Sequence, residues 1–211
     1  MKRYDCLRLL AGDIPEDALA VMGVGLVSRE WHSLRPHEAN LYQLNLGCCT
    51  PVAAGLAVAL PQRRVIALDG DGNLLLNLAS LADVANSNPS NLVIFVFDNE
   101  NYESGGGLPT VTVSGRVDLA LAARGLGFKN SVLVRTVEEF AAEARAALKR
   151  GELSLVVAKV ELGTVASLPA LHQDGKETKY RFARYIERTE GKRILIPQDR
   201  PRASKPWLKE G

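Results

Sequence analysis

The sequence has little of several features that define whole classes of protein. Its 211 residues include only three cysteines, Cys6, Cys48 and Cys49, and an odd number with one adjacent pair argues against a disulfide framework. Lysine and arginine total 26 against 24 acidic residues, so the net charge of +2 offers little attraction for nucleic acid or anionic lipid. We therefore expect no nucleic-acid partner.

Long apolar runs are also missing. Near the amino terminus the one apolar stretch is the short segment 7–11, which is followed at once by charge and proline. Such a segment is too short to span a membrane and does not have the form of a signal peptide. We expect no membrane partner, and a reducing cytoplasm suits the three thiols best.

What the sequence does contain is an alternation of strand-like and helix-like segments. Continuous apolar runs rich in β-branched residues predict strands buried on both faces of a parallel sheet, at 64–68, 91–97 and 153–160, with weaker candidates at 18–22, 41–44 and 131–134. Helical patterns lie at 50–60, 74–87, 117–125 and 137–149, the last preceded by Thr136 and Glu139 at capping-box spacing. The alternation predicts an α/β fold, a mostly parallel sheet flanked by helices.

A chain of this length can bury one sizeable core, and we expect that domain at residues 1–167. From residue 168 the composition becomes charged and proline-bearing. We expect 168–211 to be a charged extension that packs on the domain or on a partner.

Polar residues follow two of the predicted strands at the point where each strand ends. Residues 69–73 (DGDGN) come after the strand at 64–68, and residues 98–102 (DNENY) after the strand at 91–97. In a parallel sheet ligands collect at these carboxyl ends. Asp71, Asn99 and the carbonyl of Asn101 would then offer three oxygen ligands, which suit a hard cation such as Mg²⁺.

The glycines of the first motif suggest what such a cation would hold. Gly70 and Gly72 leave the backbone free for close approach by a diphosphate, and the helix that follows presents unpaired amide groups to it.

The stretch from GDGN to DNENY resembles the thiamine-diphosphate motif, which begins with GDG and ends near a paired Asn. Residues 25–30 (GLVSRE) resemble the G-x-T-S-R-E segment of phosphonopyruvate and sulfopyruvate decarboxylases, residues 45–47 (NLG) stand where these have Ser-Met-Gly, and residues 104–110 match their S-x-G-G-Q-P-T loop. The chain is therefore similar to the β, diphosphate-binding subunit of thiamine-diphosphate-dependent 2-oxo-acid decarboxylases.

The resemblance implies thiamine diphosphate and Mg²⁺ as cofactors, with Asp71, Asn99 and the Asn101 carbonyl as metal ligands. It makes Leu46 an apolar wedge under the cofactor, although core packing explains a leucine equally well. Arg29 becomes a candidate for the anionic tail of a small 2-oxo acid, or else a partner of Glu30 or Glu38. The cofactor-binding set that it implies is Gly25, Ser28, Leu46, Gly47, Gly70, Asp71, Gly72, Asn73, Asn99, Asn101 and Tyr102.

The same resemblance implies that part of the cofactor site belongs to another subunit. In this family the Glu that activates the cofactor belongs to a pyrimidine-binding domain, and no similar acidic motif occurs here. We expect that domain on an α subunit, in a hetero-oligomer, and little activity without it. The catalytic residue in this chain stays open. Of His32, His37 and His172, each more often structural, His37 is the candidate for proton transfer because it shortly precedes Leu46.

Three departures leave the substrate open: Leu108 stands in place of Gln, Gly105 in place of a larger residue, and Cys48 in place of a His of some members. Two alternatives keep the cofactor: the β subunit of a 2-oxo-acid:ferredoxin oxidoreductase, whose cluster-binding cysteine spacing is missing here, and a non-catalytic binding module. A nucleotide-binding domain is disfavoured because both glycine-rich nucleotide motifs are lacking.

Overall fold

A computed structural model describes residues 1–169, 171 and 174–195. Six parallel strands form its main sheet: β1 (Leu19–Gly23), β2 (Asn40–Leu44), β3 (Val65–Gly70), β4 (Leu92–Asp98), β7 (Asn130–Val134) and β8 (Ser154–Lys159). Their order across the sheet is β2-β1-β3-β4-β8-β7. All six predicted strands are confirmed, and β5 (Asn101–Tyr102) and β6 (Leu108–Pro109) add a small antiparallel pair.

Continuous apolar strands arise here because helices cover both faces of the sheet. In β4, Leu92, Ile94 and Val96 enter one hydrophobic cluster, while Val93, Phe95 and Phe97 enter the other. The first cluster is covered by α3 (Cys49–Ala59), α5 (Ser80–Ser87), α6 (Leu119–Gly125) and α8 (Gly175–Glu190), and the second by α1 (Arg3–Asp13), α2 (Leu26–Leu34) and α7 (Val137–Arg150). A core on each face satisfies the α/β prediction.

The helices differ from the sequence expectation in specific places. The helix expected at 74–87 is interrupted: α4 (Asp71–Leu75) ends early, and i to i+3 hydrogen bonds carry the chain through Asn77 to α5. Within this turn the side-chain amide of Asn77 donates to the Gly47 carbonyl, 3.0 Å away. The capping box of α7 is confirmed, whereas α1, α2 and α8 were not predicted.

The described part of the charged extension contains α8, whose apolar face packs on the sheet beside β2. Phe182, Tyr185 and Ile186 belong to the core cluster of that face, and Arg63 lies 2.6 Å from Glu190. The domain boundary at 167 stays a prediction, and His172 lies outside the described residues. Across the part of the chain that the structure describes, no helix has the length and apolarity to cross a membrane.

Candidate functional site

A cavity of about 350 Å³ opens at the carboxyl ends of the central strands. The chain leaves β1 toward β2 and leaves β3 toward β4, so the cavity lies at the point where the strand order reverses, the usual ligand position in such sheets. Its walls come from four strand ends and the start of α1: Arg3, Val24, Leu26, Val27, Leu46, Asp69, Gly70, Asp71, Gly72, Asn73, Phe97, Asn99, Asn101, Tyr102, Glu103, Ser104 and Gly105.

The three predicted metal ligands meet in this cavity. Asp71 opens α4 directly after β3, and Asn99 follows β4, whose Phe97 pairs with Gly70. Asn99 and Asn101 are brought to one side by a tight turn in which Glu100 adopts a left-handed φ of 61° and the Asn101 amide donates to Asn99 Oδ1 at 3.2 Å.

The Asn101 carbonyl is left available by the register of the small antiparallel pair. Asn101 lies opposite Pro109, and because the Thr110 amide donates to the Glu100 carbonyl, Asn101 is at a position whose backbone groups point away from β6. The orientation of the Asn99 amide is also fixed, because Nδ2 donates to Glu103 Oε2 at 3.0 Å. Both ligands therefore present oxygen.

A chain of hydroxyl groups joins Asp71 to the neighbouring strand end. Thr110 donates to Asp71 Oδ2 at 2.7 Å, Thr112 donates to Asp98 Oδ1 at 2.9 Å, and the two hydroxyl oxygens lie 2.8 Å apart. Lys159 closes the chain with its ammonium 2.8 Å from Asp98 Oδ2.

This row of hydrogen-bonded groups has three short contacts between oxygen atoms, but its two hydroxyl groups supply only two protons. With both carboxyl groups ionised, the contact between Thr110 and Thr112 lacks a proton. Because Lys159 balances the charge of Asp98, Asp71 is the carboxyl group that takes up the third proton as the pH falls, and it then donates to Thr110. Burial raises the pKa of Asp71 to about 6. The hydrogen bond from Thr110 opposes this rise, and the negative charge of Asp98 adds to it.

A second buried network holds the loop that carries Leu46. Burial raises the pKa of Asp69 to about 6, and this carboxyl accepts from Asn73 Nδ2 and from Thr50 Oγ1. Asn73 Oδ1 in turn accepts from the Gly47 amide at 2.7 Å. Asn73 therefore lines the cavity and also joins the loop that carries Leu46 to the GDGN motif.

The two motif glycines have different surroundings. A methyl group added at Gly70 would have no atom within 4 Å, as expected where a ligand approaches the backbone. One added at Gly72 would lie 2.6 Å from two ring carbons of Tyr102. The expectation of open space at Gly72 is therefore wrong on that side, because the Tyr102 ring occupies it.

Leu46 is 59% exposed and lines the cavity, so it is not a core leucine. Gly47 does not line the cavity; its amide donates to Asn73 Oδ1 and its carbonyl accepts from Asn77 Nδ2. Gly25 does not line the cavity itself; it has φ of 108° and leaves no room for a side chain beside Ser104.

Three predicted positions are corrected. Ser28 is fully buried away from the cavity, where it donates to the Gly23 carbonyl and accepts from the Gln43 amide, joining the ends of β1 and β2. His37 lies before the amino end of β2, against Tyr185 of α8, at the opposite edge of the sheet. A role for His37 in proton transfer within this cavity is therefore wrong.

Arg29 is the third correction, since it does not line the cavity. Glu30 and Glu38, its suggested partners, are instead bound by Arg3 at 2.6 Å and by Arg188. The cation at the cavity wall is Arg3, only 6% exposed, which no local pattern signalled because its helix was not predicted.

The donor set fits a magnesium diphosphate. Asp71, Asn99 and Asn101 line the cavity and can offer hard oxygen donors, and an octahedral cation would take its remaining oxygens from phosphate and water. A cation there would also favour the ionised form of Asp71, which burial alone disfavours.

The cysteines do not form a metal site. Cys6 belongs to the core on one face of the sheet and Cys49 to the core on the other, with Cys48 beside it. Nowhere in residues 1–169, 171 and 174–195 do three or more His, Cys, Asp or Glu side chains gather as a metal site.

Comparison with known proteins agrees with this geometry. The family described as thiamine pyrophosphate enzyme, C-terminal TPP binding domain, matches residues 23–158. The chain is 30% identical to sulfopyruvate decarboxylase subunit beta of Methanocaldococcus jannaschii, over 89% of this chain and 98% of that subunit. It is 30% identical to phosphonopyruvate decarboxylase of Streptomyces viridochromogenes, over 87% of this chain but 46% of that enzyme.

The fold also matches solved structures. Benzoylformate decarboxylase of Polynucleobacter necessarius superposes with a TM-score of 0.66 at 19% identity, over 81% of this chain and 34% of that one. The chain thus spans about a third of the length of the solved structures that it matches.

Proposed function

Since the chain belongs to the thiamine pyrophosphate enzymes, through their C-terminal TPP-binding domain, we propose that it is the diphosphate-holding β subunit of a decarboxylase for small anionic 2-oxo acids. The observation that carries this proposal is that Asp71, Asn99 and Asn101 all line a single cavity. Those oxygens suit a magnesium ion that also holds a diphosphate.

The separate α subunit is inferred from the share of each relative's length that this chain covers. This chain matches 98% of a relative named as a β subunit and 46% of a relative named as a whole decarboxylase. We therefore propose a hetero-oligomer in which a pyrimidine-binding α subunit closes the cavity. The free thiols of Cys6, Cys48 and Cys49 support a cytoplasmic location.

The carboxyl groups that line the cavity all have other roles, which supports the proposal that the activating Glu belongs to the α subunit. Asp71 is the proposed metal ligand, and Asp69 is occupied by Asn73 and Thr50. Glu103 accepts from the Gly163 amide and from Asn99 Nδ2. Each of these acids already has a structural or metal-binding task, so the proton-relay acid is assigned to the α subunit.

Thiamine diphosphate, when bound, supplies the carbanion that attacks a 2-oxo carbon and the ring that accepts the electron pair left by carbon dioxide. This chain's part is to bind and orient. Asp71, Asn99 and the Asn101 carbonyl would hold the metal, Gly70 would admit the diphosphate, and the exposed Leu46 would support the rings.

The substrate's anionic tail needs a free cation, and the described residues that line the cavity do not offer one. Among the residues that line the cavity, Asp69, Asp71 and Glu103 outnumber the single cation Arg3, which is paired with Glu30 and Glu103. We therefore assign the contact with the anionic tail to the α subunit. Turnover restricted to uncharged branched 2-oxo acids would contradict an anionic substrate.

The experiment is calorimetric titration of thiamine diphosphate into the chain, alone and with the α subunit, with and without Mg²⁺. Asp71→Ala should abolish the Mg²⁺-dependent heat, and Asp83→Ala, which removes an exposed carboxylate of α5, is the matched control. Binding that requires metal and Asp71, and that tightens with the partner, is expected. No binding under either condition would overturn the proposal, and binding without turnover of any 2-oxo acid would favour a non-catalytic module.

A further inference from the structure

We propose that Thr110 is a positioning residue for the metal site, and that its hydroxyl sets the orientation of the Asp71 carboxylate. The inference rests on the proposed function, because it takes Asp71 as a metal ligand. It adds a residue from the loop after β6, outside both segments that carry the ligands.

Thr110 contacts both ligand segments at once. Its hydroxyl lies 2.7 Å from Asp71 Oδ2, and its backbone amide donates to the carbonyl of Glu100, the residue between Asn99 and Asn101, at 2.9 Å. The spacing between the carboxylate ligand and the Asn turn is therefore set through one residue. Pro109 stiffens the approach, since its ring fixes φ immediately before Thr110.

The hydroxyl is itself held in place. Thr110 is 2% exposed and Thr112 is fully buried, with the two oxygens 2.8 Å apart. Thr112 is bound to Asp98, and Asp98 to Lys159. The Thr110 hydroxyl therefore has little freedom to rotate away from Asp71.

A carboxylate that ligates a cation through one oxygen needs its other oxygen fixed. A hydrogen bond to a charged group is stronger than one between neutral groups, and removal of a hydrogen-bond partner of a metal ligand typically lowers metal affinity by about 10–100-fold. Without the Thr110 hydroxyl, the Asp71 carboxylate would have to be ordered when the metal binds, at the expense of affinity.

Two substitutions separate positioning from packing. Thr110→Val keeps the shape of the side chain and removes the hydroxyl, whereas Thr110→Ser keeps the hydroxyl and removes the methyl group. A packing role predicts that serine is the more harmful change. A positioning role predicts that valine is harmful to metal binding and that serine restores it.

The experiment uses the chain together with its α subunit and titrates Mg²⁺ by calorimetry at saturating thiamine diphosphate. Thr110→Val should raise the Mg²⁺ midpoint by about 10–100-fold, with Thr110→Ser close to wild type. Thr112→Val, which removes the support behind Thr110 and a longer 3.4 Å contact with Asp71 Oδ2 but keeps the 2.7 Å bond from Thr110, should raise it less, and it carries the test if the Thr110 variant does not fold. Thr136→Val, which breaks the capping box of α7, should lower Tm without moving the midpoint.

The outcomes separate a failure of the proposed function from a failure of the role of Thr110. A wild-type assembly that binds thiamine diphosphate without any need for Mg²⁺ would overturn the proposed function and this inference together. A wild-type assembly that needs Mg²⁺, with Thr110→Val at the wild-type midpoint or Thr110→Ser as harmful as Thr110→Val, would overturn the inference alone.

Discussion

The proposed metal ligand Asp71 should reduce the stability of the metal-free chain, and Asp71→Asn should therefore stabilise it. Burial raises the pKa of Asp71 from 3.8 to about 6, so the folded state holds this proton more tightly than the unfolded state. That contribution is fully present below the unfolded pKa and is lost as the pH rises through about 6.

The magnitude follows from the two values. Their difference, at about 1.4 kcal/mol per pH unit, amounts to about 3 kcal/mol at pH 8. Asn has the shape of Asp, carries no charge and can supply the third proton of the Thr110 and Thr112 chain from its amide group. We expect Asp71→Asn to raise the free energy of unfolding by about 1–3 kcal/mol at pH 8, and by less at pH 5.

The assay is urea unfolding of the chain with a chelator present, at pH 8 and at pH 5. Asp98→Asn is the matched control at the other end of the same chain of hydrogen bonds. It should destabilise, because its amide group would face the Lys159 ammonium or the donors Thr112 and Glu100. Destabilisation by Asp71→Asn at pH 8, or the same gain at both pH values, would refute the proton count.

Three further predictions concern single residues. Gly72→Ala should displace the Tyr102 ring and lower Tm, whereas Gly70→Ala should keep the Tm of the wild type and weaken only the binding of the cofactor in calorimetry; an equal loss of Tm in the two variants would contradict the assigned surroundings. Arg29→Ala should leave KM for an anionic 2-oxo acid unchanged, and a large rise in KM would return Arg29 to the substrate site. Phe140→Ala, which removes a buried ring that packs on Phe95, should lower the free energy of unfolding by about 3–5 kcal/mol; a loss under about 1 kcal/mol in denaturant unfolding would contradict close packing there.

The sequence by itself determined the sheet and the chemical character of the site. Each strand was predictable because a buried parallel strand must be apolar on both faces, as β4 illustrates with Ile94 on one side and Phe95 on the other. The proximity of the proposed metal ligands was predictable because Asp71 and Asn99 each follow a strand directly, and adjacent parallel strands bring their carboxyl ends together.

The tertiary structure decided which distant side chains complete that site. Arg3 reaches the cavity from a helix whose polar and apolar residues gave no clear period, and Thr110 reaches Asp71 across 39 positions of sequence. Ser28 and His37 lie near motif residues in sequence, yet Ser28 is turned into the backbone between β1 and β2 and His37 is at the far end of β2. Local patterns determine which segments form strands and which residues follow each strand. The packing of helices and loops around the sheet determines which distant side chains meet at the cavity.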